Sequence, residues 1–95
     1  MEVQVGRGVP KGVADVTKQV AEMVGDEDSA TQRILSVEQD DAGRTVWYLR
    51  TQAGEKIGSY MSRADVPDDE FGRMRVVAEI GAYVKTRVEN HKSVA

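Results

Sequence analysis

The sequence contains no cysteine, and its aromatic residues amount to only 5% of the chain. Without cysteine there is no disulfide framework, no thiolate zinc site and no cysteine nucleophile. Long hydrophobic runs are also missing, since unbroken apolar stretches reach at most four residues, which excludes a membrane span. Glu2 stands where a secretory signal would begin its basic and apolar segment. These absences predict a soluble, cytoplasmic protein.

Charge is abundant but unevenly distributed. The 95 residues carry 13 Lys and Arg against 16 Asp and Glu, for a net charge of −3, and this length accommodates a single domain. Residues 63–70 hold one basic and four acidic side chains, whereas residues 71–95 hold five basic and two acidic ones. An acidic chain is a poor candidate for sequence-independent nucleic-acid binding, because that affinity comes from cations neutralising phosphates.

A valine stripe predicts the first helix. Residues 1–8 alternate briefly and then reach Gly6-Arg7-Gly8, so they are predicted to be a flexible arm or an edge strand. The stripe that follows repeats every three or four residues, which is typical of an amphipathic helix, and its members are Val9, Val13, Val16, Val20 and Val24. Pro10 suits the first turn and Gly25 suits the end of this helix.

Residues 31–62 change to a period of two and predict three antiparallel strands. Asp41-Ala42-Gly43 and Gln52-Ala53-Gly54 are typical of three-residue hairpin loops, so the strands form a meander. The resulting pairing gathers a predicted core face of Leu35, Val37, Trp47, Leu49, Ile57 and Met61. A shift of one residue in the second hairpin would instead place Tyr60 beside Trp47.

The second helix is predicted to run from about residue 66 to about residue 90, with Asp65 as its N-cap and Pro67 in its first turn. Its apolar positions cover about half of the helix circumference: Met74, Val76, Val77, Ile80, Gly81, Tyr83, Val84 and Val88. Either both helices contact the sheet, or a partner covers the excess. The predicted fold is α+β, in the order α-β-β-β-α, with a domain at 9–91 and a frayed end at 92–95.

No set of residues predicts catalysis. His91 is the sole histidine and is interpreted as a solvated terminal residue. The acidic cluster of Asp65, Asp68, Asp69 and Glu70 matches no calcium loop and is explained by helix capping. Residues 6–12 combine flexible backbone and cations before a helix, as anion sites do, but lack the order of a phosphate loop and are interpreted as an N-terminal arm. We therefore expect no enzyme activity, metal or cofactor.

The sheet face opposite the predicted core is the first candidate surface. Its partner-binding residues are predicted to be Arg44, Tyr48, Arg50, Lys56 and Tyr60. Aromatic side chains between cations can stack on bases and contact phosphates, and Tyr and Arg are equally common at protein interfaces. The same charges can also serve only to keep this face solvated.

Two known domains resemble parts of this pattern. The element order resembles that of the double-stranded-RNA-binding domain, whose second helix opens with lysines, whereas Pro67-Asp68-Asp69-Glu70 carries the opposite charge here. Trp47-Tyr48-Leu49-Arg50 and Ile57-Gly58-Ser59-Tyr60 resemble strands of the arm-binding domain of tyrosine recombinases. These resemblances cover element order or short segments, so no family is assigned.

The function predicted from the sequence is a non-catalytic, acidic protein-binding regulator, inhibitor or adaptor that self-associates. Its homodimer interface is predicted on the second helix, at Met74, Val77, Gly81, Val84 and Val88. The alternative is a nucleic-acid-binding module that uses Tyr48, Arg50, Lys56 and Tyr60. The identity of a protein partner is not encoded in any motif.

Overall fold

The computed structural model describes residues 1–26, 32–62 and 66–94. The chain is α+β, and its elements are β1 (Glu2–Val5), α1 (Lys11–Val24), β2 (Ile34–Gln39), β3 (Thr45–Arg50), β4 (Lys56–Ser62) and α2 (Glu70–Val94). The four strands form one sheet in the order β1-β2-β3-β4, in which β1 is parallel to β2 and the other pairs are antiparallel. The predicted fold class is confirmed, and residues 1–8 supply an edge strand.

The second helix begins later and ends later than predicted. Its first residue is Glu70, and the carboxylate of Asp69 accepts a hydrogen bond of 2.8 Å from the backbone N–H of Gly72. That bond satisfies one of the N–H groups that a helix start leaves without a partner. The predicted N-cap, Asp65, lies outside the described residues. At the other end the helix continues to Val94.

The first hairpin follows its predicted register. Leu35 pairs with Leu49 and Val37 pairs with Trp47. The loop closes through a hydrogen bond from the N–H of Gly43 to the carbonyl of Asp40. Gly43 has a φ of 79°, which a side chain would disfavour, so the glycine of this loop is required by the turn.

The second hairpin starts in its predicted register and then departs from it. Arg50 pairs with Lys56, as a three-residue loop requires, but Leu49 pairs with Gly58 because a β-bulge inserts Ile57 as an extra residue in β4. From that point every pair is displaced by one. A displacement of one residue exchanges the two faces of a strand.

The bulge corrects the predicted core face. Tyr60, not Ser59, lies opposite Trp47 and turns toward the helices. Met61, predicted in the core, is 46% exposed on the other face. Ile57 still packs against the core, because the bulge lets it share the helix side of the sheet with Tyr60.

Both helices cover the same face of the sheet and form one core with it. The buried cluster consists of Val13, Val16 and Val20 from α1, Leu35, Val37, Trp47 and Leu49 from the sheet, and Val77, Ile80, Val84 and Val88 from α2. The broad apolar arc of α2 is therefore used within the chain, against α1 as well as the sheet. Of the two arrangements left open by the sequence, the structure has both helices on the sheet.

Candidate functional site

The predicted dimer residues of α2 are mostly internal. Val77, Val84 and Val88 are buried in the core cluster and are unavailable to a second copy unless the helix unpacks. Met74 is the exposed member of the predicted set, at 59%. Because the core of the same chain uses the wide apolar arc, the arc no longer argues for a dimer. Self-association through these residues therefore has no support in the structure.

Gly81 does allow a close approach, but the neighbour belongs to the same chain. A Cβ atom placed on Gly81 would collide with the side chain of Met23. Met23 lies near the end of α1, so the absence of a side chain at Gly81 lets the two helices come together there.

The predicted partner-binding face of the sheet is partly assembled. The ammonium of Lys56 lies 4.2 Å from the centre of the Tyr48 ring, and the guanidinium of Arg50 lies 5.0 Å from it. Arg50 is also 4.0 Å from the carboxylate of Glu38. Both cations therefore have partners within the chain, which reduces the charge they offer to a phosphate. We call Glu38, Tyr48, Arg50 and Lys56 the outer sheet face.

Arg44 and Tyr60 do not join this group. Arg44 contacts Asp40 at 2.8 Å beside the first hairpin loop. The backbone N–H and the guanidinium of Arg44 hold the pKa of Asp40 below its ordinary value. Tyr60 lies on the helix side, where its ring centre is 6.2 Å from that of Trp47 and 5.6 Å from that of Tyr83. The prediction that Tyr60 shares a face with Tyr48 is wrong, because of the bulge.

A different surface, on α2, was missed by the sequence argument. Phe71 is 86% exposed and Met74 is 59% exposed. We call the surface that begins with these residues the outward face of α2; it comprises Phe71, Met74, Arg75, Ala78, Glu79, Ala82 and Lys85, all exposed. At 100° per residue it is centred roughly opposite the buried valines, and it extends about 21 Å along the helix.

One signal for this surface is present in the sequence. Phe71 is the sole phenylalanine of the chain and lies outside the apolar arc assigned to the core. Helix positions that point away from a core carry polar residues as a rule. A large aromatic side chain there, with Ala78 and Ala82 on the following turns, departs from that pattern.

A buried ionic cluster joins the segment after α1, the residue before β2 and the last turns of α2. Arg33 and Asp26, with side chains 3% and 1% exposed, form an ion pair of 3.0 Å. Lys92 lies 3.3 Å from the same carboxylate, and the guanidinium of Arg33 lies 2.9 Å from Nδ1 of His91. Because a guanidinium only donates, this nitrogen of His91 accepts. His91 is therefore part of the packed structure, contrary to its interpretation as a solvated residue.

A cleft of about 190 Å³ opens at the start of α1. Its walls include Gly12, Thr45, Asp68 and Arg73. It contains the end of the glycine-rich segment that the sequence analysis considered as an anion site, and Arg73 adds a cation. An entering anion would also meet the carboxylate of Asp68, so the charges of the cleft do not favour one ligand.

Within residues 1–26, 32–62 and 66–94, no group of three His, Asp or Glu side chains is arranged to hold a metal ion. No helix in these ranges is long and apolar enough to cross a membrane. No protein-family model, curated protein or solved structure matches this chain.

Proposed function

We propose that this chain is a non-catalytic protein-binding module, acting as a regulator, inhibitor or adaptor in the cytoplasm, and that it binds through the outward face of α2. The observation that carries the proposal is the exposure of Phe71 and Met74 on a helix that buries Val77, Ile80, Val84 and Val88. Exposed apolar side chains that occur together, bordered by charges, are typical of protein interaction sites.

The composition of this face supports the proposal. Phe71 and Met74 are adjacent on the helix surface, since residues three apart are neighbours there. Aromatic residues and methionine are enriched at the centres of protein interfaces. Arg75 and Glu79 lie beside them and can orient a partner, because charges at the rim of an interface select the partner more than they add affinity.

Site-specific crosslinking tests this proposal. With a photoreactive amino acid at Ala78, we expect one defined protein adduct in cells of the native host, identified by mass spectrometry. Phe71→Ser should weaken binding by roughly 2 kcal/mol or more, as for an aromatic residue at an interface centre, and the adduct should be lost. Met61→Ser is the matched control, since Met61 is exposed on the opposite side of the sheet. Adducts that are equal in both variants would contradict the proposal.

The second candidate function is nucleic-acid binding through the outer sheet face, where the aromatic ring of Tyr48 lies beside the cations of Arg50 and Lys56. Phosphate neutralisation by Arg50 and Lys56 would give a slope of log affinity against log salt of about −1.4 to −1.8, at about 0.7–0.9 for each phosphate. We expect no such binding at physiological salt, because the net charge is −3 and Arg44 and Arg50 have acidic partners.

Fluorescence anisotropy with duplex and single-stranded probes measures this directly. Salt-sensitive binding that disappears in the double variant Arg50→Glu, Lys56→Glu would place nucleic-acid binding first. Lys18→Glu is the control, because it reverses an exposed charge on α1.

A further inference from the structure

We propose that the partner of the outward face of α2 is a second copy of this chain, bound with the two α2 helices antiparallel. This inference rests on the proposed function and specifies its partner. It differs from the dimer expected from the sequence, since it uses exposed residues and not the buried Val77, Val84 and Val88; Met74 belongs to both sets.

Charge complementarity of the helix with itself carries the inference. Along the outward face of α2, the exposed charges are those of Arg75, Glu79 and Lys85. A two-fold axis at the level of Val77 along the helix places Arg75 of one copy opposite Glu79 of the other. This contact occurs twice in such a dimer, so four charges would face opposite charges.

A parallel arrangement of the two α2 helices would place like charges together. It would bring Arg75 against Arg75 and Lys85 against Lys85, and it would align the two helix dipoles unfavourably. Within the described part of the chain, Arg75, Glu79 and Lys85 form no ion pair. Their charges remain available to a second copy.

Side-chain size agrees with the same register. Phe71 of one copy comes over Ala82 of the other, and Met74 comes beside Ala78. Small residues at these points allow the helix axes to approach to about 8–10 Å. The large side chains then fill space that the alanines leave, which is how packed interfaces are built.

Sedimentation equilibrium of the full chain should report twice the monomer mass of 10.4 kDa. Arg75→Glu alone and Glu79→Arg alone should each weaken association by about tenfold or more, because attraction becomes repulsion at two symmetry-related contacts. An equimolar mixture of the two variants should recover the heterodimer, since both contacts are then again between opposite charges. Native mass spectrometry distinguishes the heterodimer from both homodimers.

The mixture separates association from effects within one helix. Arg75 and Glu79 are four residues apart, so each reversal also changes the isolated helix, but mixing restores only a contact between copies. Circular dichroism should show both variants folded, and Lys18→Glu should leave the dimer intact.

A dimer unaffected by these reversals, or a mixture no tighter than its components, overturns the inference. A monomer at every concentration also overturns it. If that monomer still gives the Phe71-dependent crosslink to another protein, the proposed function stands and only the identity of the partner is wrong. If the crosslink is also missing, both proposals fail.

Discussion

Replacing Trp47 with alanine is expected to lower the free energy of unfolding by roughly 3–5 kcal/mol. The side chain is 1% exposed, packs edge-on against Tyr60 and donates a 2.9 Å hydrogen bond from Nε1 to the hydroxyl of Thr17. Alanine would leave a large cavity at the centre of the core. Since small domains are stable by about 5–15 kcal/mol, this is a large share of the total stability, and urea denaturation followed by far-ultraviolet circular dichroism would measure the loss.

Thr17→Val separates the hydrogen bond from the packing. Valine keeps the shape of threonine but leaves the indole N–H of Trp47 buried without an acceptor, at a cost of about 1–3 kcal/mol. The hydroxyl of Thr17 also donates a hydrogen bond of 2.8 Å to the carbonyl of Val13, so Thr17 links the indole of Trp47 to the backbone of α1.

A loss below 1 kcal/mol in Trp47→Ala would show that Trp47 is not at the centre of the core.

The other large effect is expected from Asp26→Ala, which should destabilise the fold by roughly 3–5 kcal/mol. The substitution leaves the guanidinium of Arg33, 3% exposed, without its carboxylate partner. Leaving a buried charge without a partner lowers the free energy of unfolding far more than breaking an exposed ion pair does. Arg44→Gln is the matched control, since it breaks an ion pair whose arginine is 54% exposed and should lower the stability far less. Equal losses in both variants would contradict burial of the Asp26 pair.

Acid titration provides a second readout of the same pair. Burial opposes ionisation of Asp26, but the backbone N–H of Arg33 and the charges of Lys92 and Arg33 outweigh it, so the pKa of Asp26 lies below its ordinary value of 3.8. The ionised carboxylate therefore stabilises the fold above that ordinary value, and this contribution is lost as the pH falls through the lowered pKa. Asp26→Asn should remove this part of the pH dependence, as measured by urea denaturation at a series of acidic pH values.

Sequence reasoning located only part of the candidate sites. Tyr48, Arg50 and Lys56 share a face as predicted, because two of them lie on β3 and the third pairs with Arg50 before the bulge. Tyr60 lies beyond the bulge and changes face. The outward face of α2 was not predicted, because the apolar arc was interpreted as the interface, although the core already uses its residues.

The sequence alone determined the helices, the meander and the β2–β3 register. The signals are valines spaced three or four residues apart, apolar residues that alternate with a period of two, and the Xaa-Ala-Gly loops. Each of these signals acts within a few residues of the chain. The tertiary structure decided what depends on distant segments. Gly58 packs under Tyr83 and Arg87 of α2, and the Tyr83 hydroxyl accepts the N–H of Ser59 at 3.1 Å. These contacts fit the bulged register of β4. Likewise, Asp26 and Arg33 are buried because α2 brings its C-terminal end over them, which no pattern within residues 26–33 could indicate.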